Sequence, residues 1–172
     1  MKKQSELSRL MGYAGKHKYF TYASWVLAAI SALIALLPFI YIWKIIKEVI
    51  DVAPNYSQAT RLVHNGVMAM IFAVVSFLVY VGALLCSHLA AFRVATNMRI
   101  AVTEHVAKLP LGFVDGFGSG KLRKIVNDST GATETYLAHQ LPDKYAAIAT
   151  PLGLLVLLFA FDWRLGLLSL VP

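Results

Sequence analysis

Charge is the first thing this sequence lacks. Charged residues make up 15% of its 172 positions, where a soluble domain carries about a quarter. The shortage is concentrated in three stretches. No Asp, Glu, Lys or Arg occurs from Tyr19 to Trp43, from Asn65 to Phe92, or from Tyr145 to Phe161. A soluble core would have to bury all three on every side, which a chain this short could hardly do. Runs of this length read as membrane spans.

Cysteine is also scarce. Cys86 is the only one, so no intrachain disulfide and no zinc-finger spacing exist. No nucleophile, base and acid fall at a readable catalytic spacing. The glycines before Lys121 invite a phosphate-loop reading, which fails on three counts. Asp115 stands where the motif needs its first glycine, Leu122 where it needs Ser or Thr, and a helix precedes it where a strand is required. The chain carries no nucleotide-binding or catalytic motif and is not read as an enzyme.

Of the five histidines, only His88 lies within an uncharged run. A haem or metal site would need facing partners on other spans, and the sequence offers none at a matching spacing. No cofactor or metal is assigned to the chain. The small polar residues of the runs, Ser24, Ser31, Ser76, Tyr80 and Ser87, suit helix packing better than a substrate site.

What is present is a set of basic flanks. The net charge is +7, but the basic residues border the apolar runs, so topology explains them and nucleic acid is not an expected partner. Lys and Arg number five before Tyr19, three from Lys44 to His64, seven from Arg93 to Lys144, and one in the turn at Trp163. The positive-inside rule therefore places the N-terminus and the long loop in the cytoplasm. A cleaved signal peptide is excluded, because the apolar run begins only at Tyr19 and exceeds the usual h-region of up to about 15 residues.

The expected fold is all-α: a polytopic membrane helical bundle with long cytoplasmic helical extensions. Residues 1–18 form an amphipathic elbow at the membrane surface, with Leu7, Leu10, Met11 and Ala14 at helical spacing. Spans cover 19–43, 65–92 and 145–161. The partial transmembrane domain runs over 19–172, with a cytoplasmic loop at 93–144. Pro38 bends the first span near its far end, and 53–57 is a turn. The second helix continues beyond the bilayer to Leu109, an extension of roughly 25 Å at the α-helical rise. Residues 113–120 read as a glycine-rich turn and Ser119 as the N-cap of a second amphipathic helix, which Pro142 interrupts. Asp162–Arg164 is a short polar turn, and a fourth span begins at 165–172 and reads as cut within the helix.

Phe113 and Phe117 stand at the tip of the loop. Exposed there, they call for a partner; alternatively they pack against the flanking helices.

The order of motifs along this loop resembles a family. Leu109-Pro-Leu-Gly-Phe-Val-Asp115, then Ser119-Gly-Lys-Leu122, then Val126-Asn-Asp128 is similar to the first intracellular loop of exporter-type (type IV fold) ABC transporters, where Leu-Pro-x-x-Phe-Phe-Asp precedes Ser-Gly-x-Leu. Val114 departs from the second Phe. The turn Phe161-Asp-Trp-Arg-Leu165 resembles that family's tight outer turn between the third and fourth helices. Tyr136-Leu-Ala-His-Gln-Leu-Pro-Asp143 looks like members linked to siderophore or iron handling.

The resemblance implies the following. The chain would be the permease portion of a multi-pass transporter in the cytoplasmic membrane, moving a small molecule. Phe113, Asp115, Phe117, Ser119, Gly120, Lys121 and Leu122 would dock on an ATP-binding cassette domain, which would supply ATP and Mg chemistry outside this chain. The lipid bilayer and a second half-transporter, identical or not, would be the other partners. A small stand-alone membrane protein, such as an assembly factor or anchor, and a membrane-embedded haem protein are the rival readings.

Overall fold

The computed structural model describes residues 6–170. Lys2 and Lys3 at the start of the expected elbow, and the last two residues of the expected fourth span, lie outside them. Every regular element among the described residues is helical. Three helical stretches are long and apolar enough to cross a membrane: Leu7–Asp51, Leu62–Ala107 and Ser119–Phe161.

The first stretch is assembled from α1 (Glu6–Ala14), a single tight turn at Gly15–His17, α2 (Lys18–Ile34) and α3 (Leu37–Asp51). The bend expected at Pro38 falls earlier, at Ala35–Leu36, and Pro38 sits in the first turn of a new helix. The reason is local. Proline has no N–H for the carbonyl four residues back and its ring crowds that carbonyl. The backbone answers by bonding to the carbonyl three residues back: Leu36 N–H reaches Leu33 O at 3.2 Å and Phe39 N–H reaches Leu36 O at 3.2 Å.

The second stretch is one helix, α4 (Leu62–Ala107), 46 residues long. It runs unbroken past Arg93, as the helical stripe to Leu109 requires. A short helix, α5 (Leu111–Phe117), follows. The third stretch, α6 (Ser119–Phe161), is also continuous. Pro142 does not interrupt it. Two wide turns with π-type bonding, Lys124–Ser129 and Tyr136–Gln140, are built into α6. The second one directly precedes Pro142, which is fully buried. Asp162 then caps α7 (Trp163–Leu168), its carboxylate accepting from the Arg164 N–H at 2.8 Å.

The chain divides into two compact units. One joins the chain up to Trp25 with Ala83–Pro142. Its core contains Met11, Ala14, Trp25, Ala91, Val94, Leu137, Ala138 and Leu141, with Leu7 and Met98 against it. The apolar face of α1 thus has a protein surface to cover, built from α4 and α6. Alanines at the meeting points let the helices approach closely.

The other unit joins Val26–Gly82 with the chain from Asp143. Ser31 Oγ donates to Ser76 O at 2.8 Å, linking α2 to α4. Tyr41 stacks on Phe72 and Trp43 tilts on Phe161. Gly153 on α6 lies so close to Leu33 and Leu36 that a Cβ would meet their methyl carbons within 2.7 Å. Large apolar side chains face outward in this unit, among them Val26, Phe77, Leu152 and Val156. Water would penalise such a surface and lipid tails do not.

Candidate functional site

The tip of the long loop lies wholly within the first unit. α4 ends in tight bonds, Lys108 N–H to His105 O and Leu109 N–H to Val106 O. Pro110 then opens α5 from an extended conformation, with its carbonyl accepting from the Phe113 N–H at 2.9 Å. A proline just before a helix loses nothing, since the first N–H groups of a helix have no internal partner.

The segment 113–120 is therefore not a glycine-rich turn. Gly112 and Gly116 are helical, and the reversal is concentrated at Gly118, with φ 82° and ψ 134°. That conformation is open essentially to glycine alone. Gly118 also takes the N-cap position of α6; Ser119 is the first helical residue and makes no capping bond.

Helical winding of α5 has a consequence for its aromatics. Phe113 and Phe117, four residues apart, fall on one face. Their rings stack at 5.6 Å between centroids with an 18° interplanar angle. Lys121 Nζ sits over the Phe117 ring, 4.7 Å from its centroid. Phe113 remains 52% exposed and Leu111 79% exposed. Asp115, Ser119, Gly120 and Lys121 are exposed, while Phe117 and Leu122 are half-buried. The seven residues singled out in the sequence thus gather on one short helix and the first turn of the next. They form an apolar, partly cationic tip whose aromatic stack is open to a partner.

Behind the tip, α4 and α6 are tied by polar bonds that the sequence does not announce. Arg99 Nε donates to Thr130 Oγ1 at 3.1 Å, and its Nη2 lies 3.6 Å from Glu134 Oε2. Thr130 is buried and donates back to the wide turn, to Val126 O and Asn127 O. Leu111 was also overlooked in the sequence; its signal is an apolar residue after Pro110 that belongs to neither helical stripe. Nearer the apolar core, the rings of His88 and His139 meet edge to face at 4.8 Å. The sequence showed no partner for His88 because the wide turns of α6 shift the helical phase. Among the described residues no group of three or more His, Cys, Asp or Glu side chains is placed to hold a metal ion.

Comparison with known proteins identifies the family of the chain. The profile of the ABC transporter transmembrane region matches residues 21–171. The chain belongs to this family. A mycobactin import ATP-binding/permease protein, IrtA, from Mycolicibacterium smegmatis is 32% identical over 149 residues, which is 87% of this chain and 17% of that protein. The protein of the same description from Mycobacterium tuberculosis is 33% identical over the same shares. An ATP-dependent lipid A-core flippase from Idiomarina loihiensis is 27% identical over 178 residues, covering 99% of this chain and 29% of the flippase. This ABC transmembrane segment thus spans 17% of the length of the two mycobactin import relatives. It is a multi-pass membrane segment, as its three apolar helices require.

Proposed function

We propose that this segment is the permease portion of an ATP-driven transporter, and that 113–122 is where an ATP-binding domain docks. The observation that carries the proposal is the tip itself. Two long helices project beyond their apolar runs, and the short helix between them holds Phe113 stacked on the half-buried Phe117, with Phe113 exposed. An exposed aromatic stack on a rigid support is suited to act as a docking anchor. Closure of two ATP-binding domains would then move the long helices as levers, alternating access to a path between two such halves. ATP and Mg would bind in those domains and not in this chain. The proposed membrane is the cytoplasmic one, and the concentration of basic residues supports an N-terminus and tip on its inner side.

For the cargo we propose a siderophore-class small molecule. The support is the Tyr136–Asp143 stretch together with two relatives whose names specify mycobactin import. The test is transport by the full-length parent in proteoliposomes. ATP with Mg should drive movement of an iron-loaded siderophore, and a non-hydrolysable ATP analogue should not. Movement that is indifferent to ATP would overturn the permease reading. ATP-driven movement of other solutes with none of a siderophore would overturn only the cargo.

A further inference from the structure

Two uncharged runs reach their ends side by side within the second unit. Lys44 is the first charge after Lys18, and Arg61 is the last before Arg93. Between α3 and the start of α4 lies a cavity of about 790 Å³. Lys44, Lys47, Arg61 and His64 line it, together with Glu48 and Asp51. Its position marks the level at which a spanning helix pair leaves the hydrocarbon and enters the headgroup layer.

The cavity is organised. Glu48 Oε1 accepts the Arg61 N–H at 2.9 Å and so ties the beginning of α4 to α3. The other oxygen, Oε2, is buried with no hydrogen-bond donor among the described residues. The two lysine ammonium groups are held at aromatic faces, Lys44 Nζ 4.9 Å from the Tyr41 centroid and Lys47 Nζ 5.2 Å from that of Trp43. Among the described residues no carboxylate pairs with Lys44, Lys47 or Arg61. The first turn of the 46-residue α4 borders the same space, and a helix N-terminus favours an anion.

We propose that this cavity binds a phospholipid headgroup in which a phosphate diester is joined to a primary ammonium, that of phosphatidylethanolamine. Its phosphate lies among Lys44, Lys47 and Arg61, whose side-chain N–H donors no carboxylate occupies among the described residues. Its ammonium lies against Glu48 and Asp51 and supplies the donor that the buried Glu48 Oε2 lacks. Choline matches the charges but has no N–H to give. Glycerol donates neutral O–H bonds but brings no cation to the buried Glu48 Oε2. A lipid fits better than a soluble phosphate ester because Tyr41 and Trp43 flank the lysines as interfacial aromatics do. The site requires only that the chain is embedded in a bilayer, so it stands apart from the transport reading.

The test is native mass spectrometry of the full-length parent in detergent, titrated with phosphatidylethanolamine, phosphatidylcholine or phosphatidylglycerol of matched chains. One phosphatidylethanolamine should be retained at least about tenfold more strongly than the other two, the low end of one hydrogen bond to a charged group. Lys44→Gln/Lys47→Gln should remove that retention. Asp51→Asn should erase the preference over phosphatidylcholine while overall lipid binding persists. All three side chains are exposed, and size-exclusion profiles should stay those of the parent. Equal retention of all three lipids, or full retention by the double variant, would overturn the proposal. Displacement by free phosphoethanolamine at the same concentration as the lipid would assign the cavity to a soluble ligand instead.

Discussion

Ser87 on α4 places its hydroxyl between two carbonyl acceptors, Leu84 O of its own helix at 2.9 Å and Ala138 O on α6 at 2.8 Å. Ala138 lies four residues before Pro142, so its carbonyl is the one that proline leaves without the usual helical N–H. A serine on a neighbouring helix replaces the donor that proline lacks. This bond and the wide turn at Tyr136–Gln140 let α6 pass through a buried proline without breaking. Ser87→Ala should therefore destabilise the parent by about 1–2 kcal/mol, the range for leaving a buried carbonyl short of a donor. Thermal unfolding in detergent reads this as a lower Tm. An unchanged Tm would mean that the wide turn satisfies Ala138 O without help. Ser87→Thr keeps the hydroxyl and should recover part of the loss.

The reversal at the tip gives a paired test. Gly118 has φ 82°, and an added Cβ would have nothing within 4 Å, so the conflict there is one of backbone conformation and not of space. Gly118→Ala should cost about 1–3 kcal/mol locally and disorder the α5–α6 junction. Gly120→Ala, two residues on in a helical conformation and equally uncrowded, should be neutral or slightly stabilising. Limited proteolysis at Lys121 and Arg123 should rise for the first variant only. Equal digestion of both would show that the reversal does not depend on Gly118.

Sidedness follows from the distribution of Lys and Arg. With Cys86→Ser as background, cysteine placed at Gln58 should react with an impermeant maleimide in intact cells. Cysteine placed at Lys3 or Lys121 should react only after permeabilisation. The opposite pattern would invert the topology and move the tip to the outer face.

How much was legible depended on whether the cause lay nearby in sequence. The absence of charge from Tyr19 to Trp43 and from Asn65 to Phe92 needs no tertiary partner to be read, because the solvent sets it. The unbroken passage of α4 past Arg93 was visible as a stripe, and Asp162 announced the last turn through its own carboxylate. The continuity of α6 was hidden, because the donor that compensates Pro142 sits 51 residues away. The same wide turns concealed the meeting of His88 and His139. At the tip the seven candidate residues could be grouped from the sequence, but their helical winding could not be read there. Gly112 and Gly116 signal a turn by composition, while the need for glycine is confined to Gly118. The sequence left open whether Phe113 and Phe117 meet a partner or pack against the flanking helices; the i, i+4 spacing on α5 instead stacks them on each other.

The role of that stack in coupling is tested most directly by Phe117→Ala in the full-length parent, with substrate transport and ATP hydrolysis measured together in proteoliposomes. A truncated aromatic anchor costs about 2 kcal/mol or more of docking energy, equivalent to roughly thirtyfold in affinity. Transport should fall at least tenfold while basal hydrolysis falls much less, since hydrolysis needs only the ATP-binding domains to meet. Leu122→Ala, on the half-buried face of α6, controls for loss of local packing and should lower Tm more than it uncouples. If Phe117→Ala leaves both transport and substrate-stimulated hydrolysis at parental levels, the tip is not the coupling element.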